Sequence, residues 1–318
     1  MDSEIEPFDV SEFRKVLQSR SQKAIHLSGK YIDTTQHGLP NQEAMEQPIV
    51  GYRVLEKMGS GGTAVVFQAQ NIETGDMVAL KLLYPGFNQD KKILKQFINE
   101  GMMLIRLDHP NILKGLDFGV SKGMYFLALE FVRGESLDSF LSKGLMFTER
   151  STFEMAFQIV KALAYLESKK IVHRDIKPAN ILLMGSQVKL CDFAYAVEIS
   201  STKAQESAED ITCGTVEYIS PEQARGQKDL DGRSDVYSLG ITCFHMLTGK
   251  VPFTGPDAQE VMRQQIYEIV QVKQIPKLTS AGRLLMQLMI TKKKEERITP
   301  TRLLSMIEKY LAETPGKK

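Results

Sequence analysis

The chain has 318 residues, 42% of them hydrophobic and 25% charged, which is enough to bury a substantial core in an ordinary globular fold. Lysine and arginine total 40 against 39 acids, and the resulting net charge of +1 argues against nucleic acid as a bulk partner and leaves any phosphate chemistry to local clusters. Three well-separated cysteines (Cys191, Cys213 and Cys243) fit no zinc spacing, and no run approaches the roughly 18 apolar residues that cross a bilayer, so a cytoplasmic protein without membrane insertion is expected.

Residues 1–50 form a polar extension with eight acids against five bases, and one short helix is expected near 9–20. Strand patterning then begins. YRVLEKM, AVVFQAQ and MVALKLLY are rich in β-branched and aromatic residues and are separated by Gly-rich and Thr-Gly turns, as in a small antiparallel sheet. A helix is expected over 89–106, stopping before His109-Pro110, and the strands ILKGLDFGV and MYFLALEFV follow it.

After Gly134 the pattern becomes helical. Thr148 can cap a helix whose apolar residues Phe153, Ala156, Phe157, Val160, Leu163 and Ala164 recur at three- and four-residue steps. Further helices are expected at 233–248, 257–270, 279–290 and 300–312. No internal repeat is present. The order of elements is α+β, with a sheet-rich first part and a helix-rich second part.

Several stretches carry chemistry. Gly59-Ser60-Gly61-Gly62 lies between the first two strands, where backbone amides could close over phosphates, although a Gly-rich hairpin alone is more often only a turn. Lys81 ends an otherwise apolar strand, and Glu100 sits on the apolar face of the next helix, so the two suit a mutually compensating buried pair. The most specific segment is Ile171-Val172-His173-Arg174-Asp175-Ile176-Lys177-Pro178-Ala179-Asn180-Ile181-Leu182-Leu183. Its aspartate, the lysine two residues on and the asparagine five residues on supply a proton acceptor, a phosphate counter-charge and a metal ligand within one loop.

In order and spacing these residues resemble the eukaryotic-like serine/threonine protein kinases. HRDIKPAN with DVYSLG and SPEQARG is most similar to their bacterial branch, and the resemblance runs from about Tyr52 to about Leu311. It implies a bilobal protein-kinase-like fold: a small antiparallel sheet with one helix over 51–132, a larger mainly helical lobe over 133–312, and a tail over 313–318. It implies that Lys81 holds ATP phosphates with Glu100 as its partner, that Asp175 orients a substrate hydroxyl and accepts its proton beside Lys177, and that Asn180 and Asp192 bind Mg2+, with Mn2+ as an alternative. The amides from Gly59 to Gly62 would cover the phosphates. Adenine would lie between Val66 and Ala79 above and Leu182 below, bonded to the backbone near Glu130 and Val132, with Leu129 as gatekeeper. Lys177 together with Thr215 matches the pattern for serine and threonine hydroxyls of protein substrates, and the protein's own hydroxyls would call for a homodimer. Glu222 with Arg297, and Asp235, are implied to be structural.

Two positions depart from the family pattern. Ala64 stands where a third loop glycine is usual, and Ala194 stands where the Asp-Phe-Gly triplet ends. A non-glycine residue in left-handed backbone costs roughly 1–2 kcal/mol, so Ala194 biases the loop without removing any charged group. The alternative to an active kinase is a pseudokinase, a nucleotide-binding scaffold with little turnover. Arg174 precedes Asp175, and the loop beyond Asp192 carries Ser200, Ser201, Thr202, Ser207 and Thr212 as phosphate acceptors, with Glu206, Glu209 and Asp210 as acids that could stand in for phosphate. Cys191 is read as a small apolar residue at the rear of the pocket.

Overall fold

A computed structural model of the chain describes residues 49–199, 215–275 and 277–314. The helix expected near 9–20, the hydroxyl and acidic residues between Ser200 and Thr212, and Cys213 lie outside them.

The first part is a five-stranded antiparallel sheet built from β1 (Tyr52–Ser60), β2 (Ala64–Asn71), β3 (Met77–Leu83), β4 (Gly115–Ser121) and β5 (Met124–Glu130), in the order β1-β2-β3-β5-β4. Alternation dictates its two faces. Val65, Phe67, Ala69, Val78, Leu80, Leu82, Phe126 and Ala128 pack with Ile49 and Tyr52 into one core, each large side chain contributing about 1.5–3 kcal/mol of burial. The strand expected from Ile112 starts at Gly115. Ile112 instead forms an isolated bridge to Leu190, and the Leu113 N–H donates to the Leu190 carbonyl at 2.8 Å, which ties this sheet to the second part of the fold.

Helix α1 (Lys91–Arg106) begins two residues later than expected because Asp90 caps it, accepting from the N–H groups of Lys92 and Ile93. It lies close against β4. A Cβ at Gly115 would sit 2.8 Å from the Ile105 nitrogen and from the Leu104 carbonyl carbon, so the helix reaches this depth only over a glycine. That close approach fixes the height of α1 above the sheet, and with it the position of Glu100.

The second part opens with a two-residue strand, β6 (Glu135–Ser136), before the short helix α2 (Leu137–Ser142). β6 pairs with β8 (Ile181–Met184), which pairs with β9 (Gln187–Leu190), while β7 (Ile171–Val172) pairs with β10 (Val197–Glu198). Helix α3 (Glu149–Ser168) is capped by Thr148, whose hydroxyl accepts from the Ser151 N–H. Its buried stripe includes Phe153, Ala156, Val160 and Leu163 but runs on through Ile159, Ala162 and Leu166 rather than Phe157 and Ala164, because it serves two neighbours. It packs against both α5 (Gly232–Thr248) and α8 (Pro300–Glu313), with the Phe153 and Tyr310 rings edge to face at 5.0 Å. Helix α5 is buried around nearly its whole circumference. The remaining helices are α4 (Pro221–Ala224), α6 (Ala258–Tyr267) and α7 (Ser280–Met289). The expectation for α6 ran to residue 270, but Glu268 turns into extended backbone and ends the helix. Among the described residues no helix is long and apolar enough to cross a membrane.

Candidate active site

The antiparallel register sets out the sheet side of the site. Val66 stands between Gly59 on β1 and Lys81 on β3, and Ala79 stands opposite Leu129 on β5. Lys81 projects toward α1, where its ammonium meets both carboxylate oxygens of Glu100 at 2.8 and 2.6 Å. Burial opposes the Lys81 charge, but Glu100, and after it Asp192, hold the ammonium above the ordinary lysine range. The pair is nonetheless open on one side: the Lys81 side chain is 21% exposed, against 4% for Glu100.

The loop between β7 and β8 supplies a second cluster. Asp175 Oδ2 accepts from Lys177 Nζ at 2.9 Å and from Asn180 Nδ2 at 2.8 Å, and the same amide nitrogen donates to the Asp175 carbonyl. With its NH2 group committed in this way, Asn180 has its carboxamide oxygen left for another partner. The loop is braced from beneath. Asp235 on α5 accepts the N–H groups of His173 and Arg174, both at 2.8 Å, while burial pushes its carboxyl up to about 7 against the pull of those two donors. Arg174 takes φ +71, a left-handed conformation that this bracing holds in place.

Asp192 follows β9. The fields of Asp192 and Asp175 both reach the buried His173 ring, and that of Asp192 also reaches Lys81 and Glu100, so the structure brings the three groups expected to act together into one electrostatic neighbourhood. The His173 ring meets Phe193 edge to face at 4.5 Å and faces the Cys191 carbonyl at 3.2 Å. Positive φ in this segment falls on Asp192 (+61) and not on Ala194. The alanine therefore carries no left-handed strain in this arrangement, which removes the cost that its sequence position suggested. Burial pushes the Cys191 thiol well above the ordinary cysteine range, with Asp192 adding to the shift, in keeping with a packing role.

The residues implied to touch a nucleotide fall into two sets. Ala79, Leu129 and Val132 are buried walls, while Val66, Leu182 and Glu130 are half-buried. The Glu130 carboxylate is committed elsewhere, accepting from Lys189 Nζ and from the Lys114 N–H, each at 2.7 Å. Gly59, Ser60, Gly61 and Gly62 are exposed, and a Cβ added at Gly59 or Gly62 would meet nothing within 4 Å. The fold itself does not require glycine at those two positions, and the space beside them is open. Among the described residues no set of three or more His, Cys, Asp or Glu side chains forms a metal cage. Mg2+ fits such a site, since it usually takes one or two protein ligands and completes its shell with phosphate and water.

Sequence reasoning missed two polar residues here. Asn99, one position before Glu100, donates from its carboxamide to the carbonyls of Phe193, Ala194 and Ala196. Gln223 completes a capping box with Ser220 on α4 and donates from Nε2 to the Arg174 carbonyl at 2.9 Å. Asn99 does not show in local pattern, and although the Ser220-Pro221-Glu222-Gln223 spacing is a local capping signature, the reach of Gln223 to Arg174 is not, because each acts on backbone far along the chain. Thr215, also implied to belong to the substrate side, begins the described segment before α4, where Gln265 Nε2 donates to the Glu217 carbonyl at 2.5 Å. A shallow cavity of about 420 Å³ bounded by Phe244, Phe253, Gln264 and Ile269 shares none of these residues.

A five-stranded sheet with a lysine paired to a helix glutamate, joined to a helical part that carries an Asp-Lys-Asn loop and a second aspartate, defines the protein kinase class of fold. Residues 52–307 match the protein kinase domain family, and the chain belongs to it. Serine/threonine-protein kinase PrkC of Bacillus subtilis is 37% identical over 212 residues, 66% of this chain and 32% of that protein. Probable serine/threonine-protein kinase PknB of Lactococcus lactis is 34% identical over 221 residues (69% and 35%), and serine/threonine-protein kinase PknA of Mycobacterium tuberculosis is 34% identical over 223 residues (68% and 51%). The chain thus spans about a third of the length of the first two.

Proposed function

We propose that the chain is an ATP-dependent protein kinase that transfers the γ-phosphate of ATP to serine and threonine hydroxyls of proteins, its own among them when two copies meet, in the cytoplasm. The observation that carries this reading is the convergence of three charges from distant parts of the sequence: the Lys81 ammonium held by Glu100, the Asp175 carboxylate between Lys177 and Asn180, and Asp192 acting on both neighbourhoods. The relatives' names, all serine/threonine-protein kinases, support the same chemistry.

In this reading Lys81 binds the α- and β-phosphates and Glu100 keeps it pointed at them. The amides of residues 59–62 lie over the phosphates, and Val66, Ala79 and Leu182 enclose the adenine, with Leu129 at the back and the backbone at Glu130 and Val132 at its edge. Asp175 accepts a hydrogen bond from the substrate hydroxyl. As the hydroxyl oxygen attacks the γ-phosphorus and the bond to the β-phosphate oxygen breaks, Asp175 takes the proton and ADP leaves with the bridging oxygen. Lys177, 2.9 Å from Asp175, supplies counter-charge to the transferred phosphoryl group. Mg2+, or Mn2+ in its place, held by Asn180 and Asp192, would neutralise charge on the phosphate oxygens.

Labelled ATP, Mg2+ and a generic basic protein test the reading beside Asp175→Asn and Asp192→Asn. Wild type is expected to transfer label, and each variant to lose about 100- to 1,000-fold, the scale of removing a group that stabilises transition-state charge. Equal labelling by wild type and both variants overturns it.

A further inference from the structure

Asn99 and Glu100 are consecutive on α1 and so point about 100° apart around the helix. One turn thereby offers a carboxylate to Lys81 and a carboxamide to the segment that follows Asp192. The Asn99 Nδ2 group lies 3.2 Å from the Phe193 carbonyl oxygen, 3.2 Å from that of Ala194 and 2.9 Å from that of Ala196. Three carbonyl dipoles converging on one point repel each other unless a donor stands among them. An NH2 group with two protons, one of them shared, is the smallest side-chain group that serves all three. Within the segment itself, the Ala194 N–H reaches Asp192 Oδ1 at 3.3 Å and the Ala196 N–H reaches the Phe193 carbonyl at 3.1 Å.

We propose that Asn99 is a positioning residue that clamps the Asp192–Ala196 segment to α1, so that Glu100 and Asp192 take up their places as one unit. The proposal rests on the reading of Asp192 as a metal-binding aspartate and adds what holds it there. Ala194 fits the same device, since a residue with less backbone freedom than glycine narrows the segment to the arrangement that Asn99 can grip. A helix displaced from the sheet would carry off Glu100 and release Asp192 together.

The full chain, without nucleotide, is compared as wild type, Asn99→Ala and Asn99→Asp by amide hydrogen exchange at Ala194 and Ala196. Asn99→Ala is expected to exchange about tenfold faster at those amides, with α3 and α5 unchanged, on the scale of one lost hydrogen bond and its orphaned acceptors. Asn99→Asp keeps the size but presents a charge and no donor to three carbonyl oxygens, so it is expected to exchange faster still. In phosphoryl transfer, Asn99→Ala is expected to need severalfold more Mg2+ for half-maximal rate while KM for the protein substrate stays put. A side chain that merely packs would move neither the exchange order nor the metal requirement. Unchanged exchange at Ala194 and Ala196, Asn99→Asp behaving as wild type, or faster exchange with an unaltered Mg2+ requirement would each overturn the clamp. Should wild type transfer no phosphate, the kinase reading fails by itself, and the exchange arm still decides whether Asn99 holds the segment.

Discussion

Each half of the molecule holds a lysine or arginine against a glutamate, and the two pairs are built differently. In the helical half, Arg297 meets Glu222 through two bonds at 2.6 and 3.0 Å, with side chains 0% and 2% exposed. Every remaining direction is filled: Ser234 donates to Glu222, and the Arg297 guanidinium also donates to the carbonyls of Thr291, Lys292 and Arg233. In the sheet half, Lys81 has only Glu100 as its hydrogen-bonding partner among the described residues, lies within the field of Asp192, and keeps one side open. A saturated pair can only brace. An unsaturated pair keeps one ammonium N–H for a further acceptor, and so the donor left open, more than the burial, separates it from the brace.

The largest effect that would break this contrast is on folding. Arg297→Met leaves Glu222 buried without its partner and is expected to cost about 3–5 kcal/mol. Lys81→Met is expected to lower phosphoryl transfer by about 100- to 1,000-fold while shifting the thermal midpoint less than Arg297→Met does. Denaturation and labelling of both variants check the pair of outcomes, and equal destabilisation by the two would erase the distinction. Next in size is Gly115→Ala. Its Cβ would press on the backbone of Leu104 and Ile105, so a stability loss of about 1–3 kcal/mol is expected, accompanied by reduced activity as α1 lifts Glu100 from Lys81.

Acid sharpens the same comparison. Burial raises the Glu222 carboxyl, but hydrogen bonds and charge from Arg297 outweigh it and hold the group below the ordinary glutamate value of 4.5. A depressed folded-state pKa contributes stability that is complete above 4.5 and is lost as pH falls through the depressed value. The thermal midpoint of wild type is therefore expected to drop below that pH, and that of Glu222→Gln to start lower and stay flatter across the same window. A Glu222→Gln profile parallel to wild type would show that another acid governs the acid limit.

The legible parts of this fold were those written in local pattern. Runs of β-branched and aromatic residues between turns gave the five strands, with misplaced ends where an apolar run continued past the pairing: Ile112 and Leu113 bond to Leu190 instead of β5, and β5 stops at Glu130, two residues short of the expected end. Polar residues crowded between apolar neighbours marked Asp175, Lys177 and Asn180, and one apolar helix face marked Glu100. The two-residue strands β6 and β10 were beyond reach because two residues carry no period, and α4 was too short for one. Asn99 and Gln223 escaped for a different reason. Each donates from its carboxamide to distant main-chain carbonyls, of residues 193–196 and of Arg174, and any sequence would supply those carbonyls.

The smallest effect tests the residue that set this chain apart from its family. If Ala194 obstructed the site, restoring glycine would raise activity. In the structure, however, left-handed backbone lies at Asp192, and Ala194 sits where an L-residue is unstrained, with its N–H on Asp192 Oδ1 and its carbonyl on Asn99. Glycine there would add freedom mainly to the unfolded chain and to the released loop. Ala194→Gly is therefore expected to lose about 0.4–1 kcal/mol of stability and to turn over within about threefold of wild type. A gain of tenfold or more would mean that the working cycle passes through a backbone state at residue 194 that only glycine enters easily, and that the arrangement held by Asn99 is a resting one.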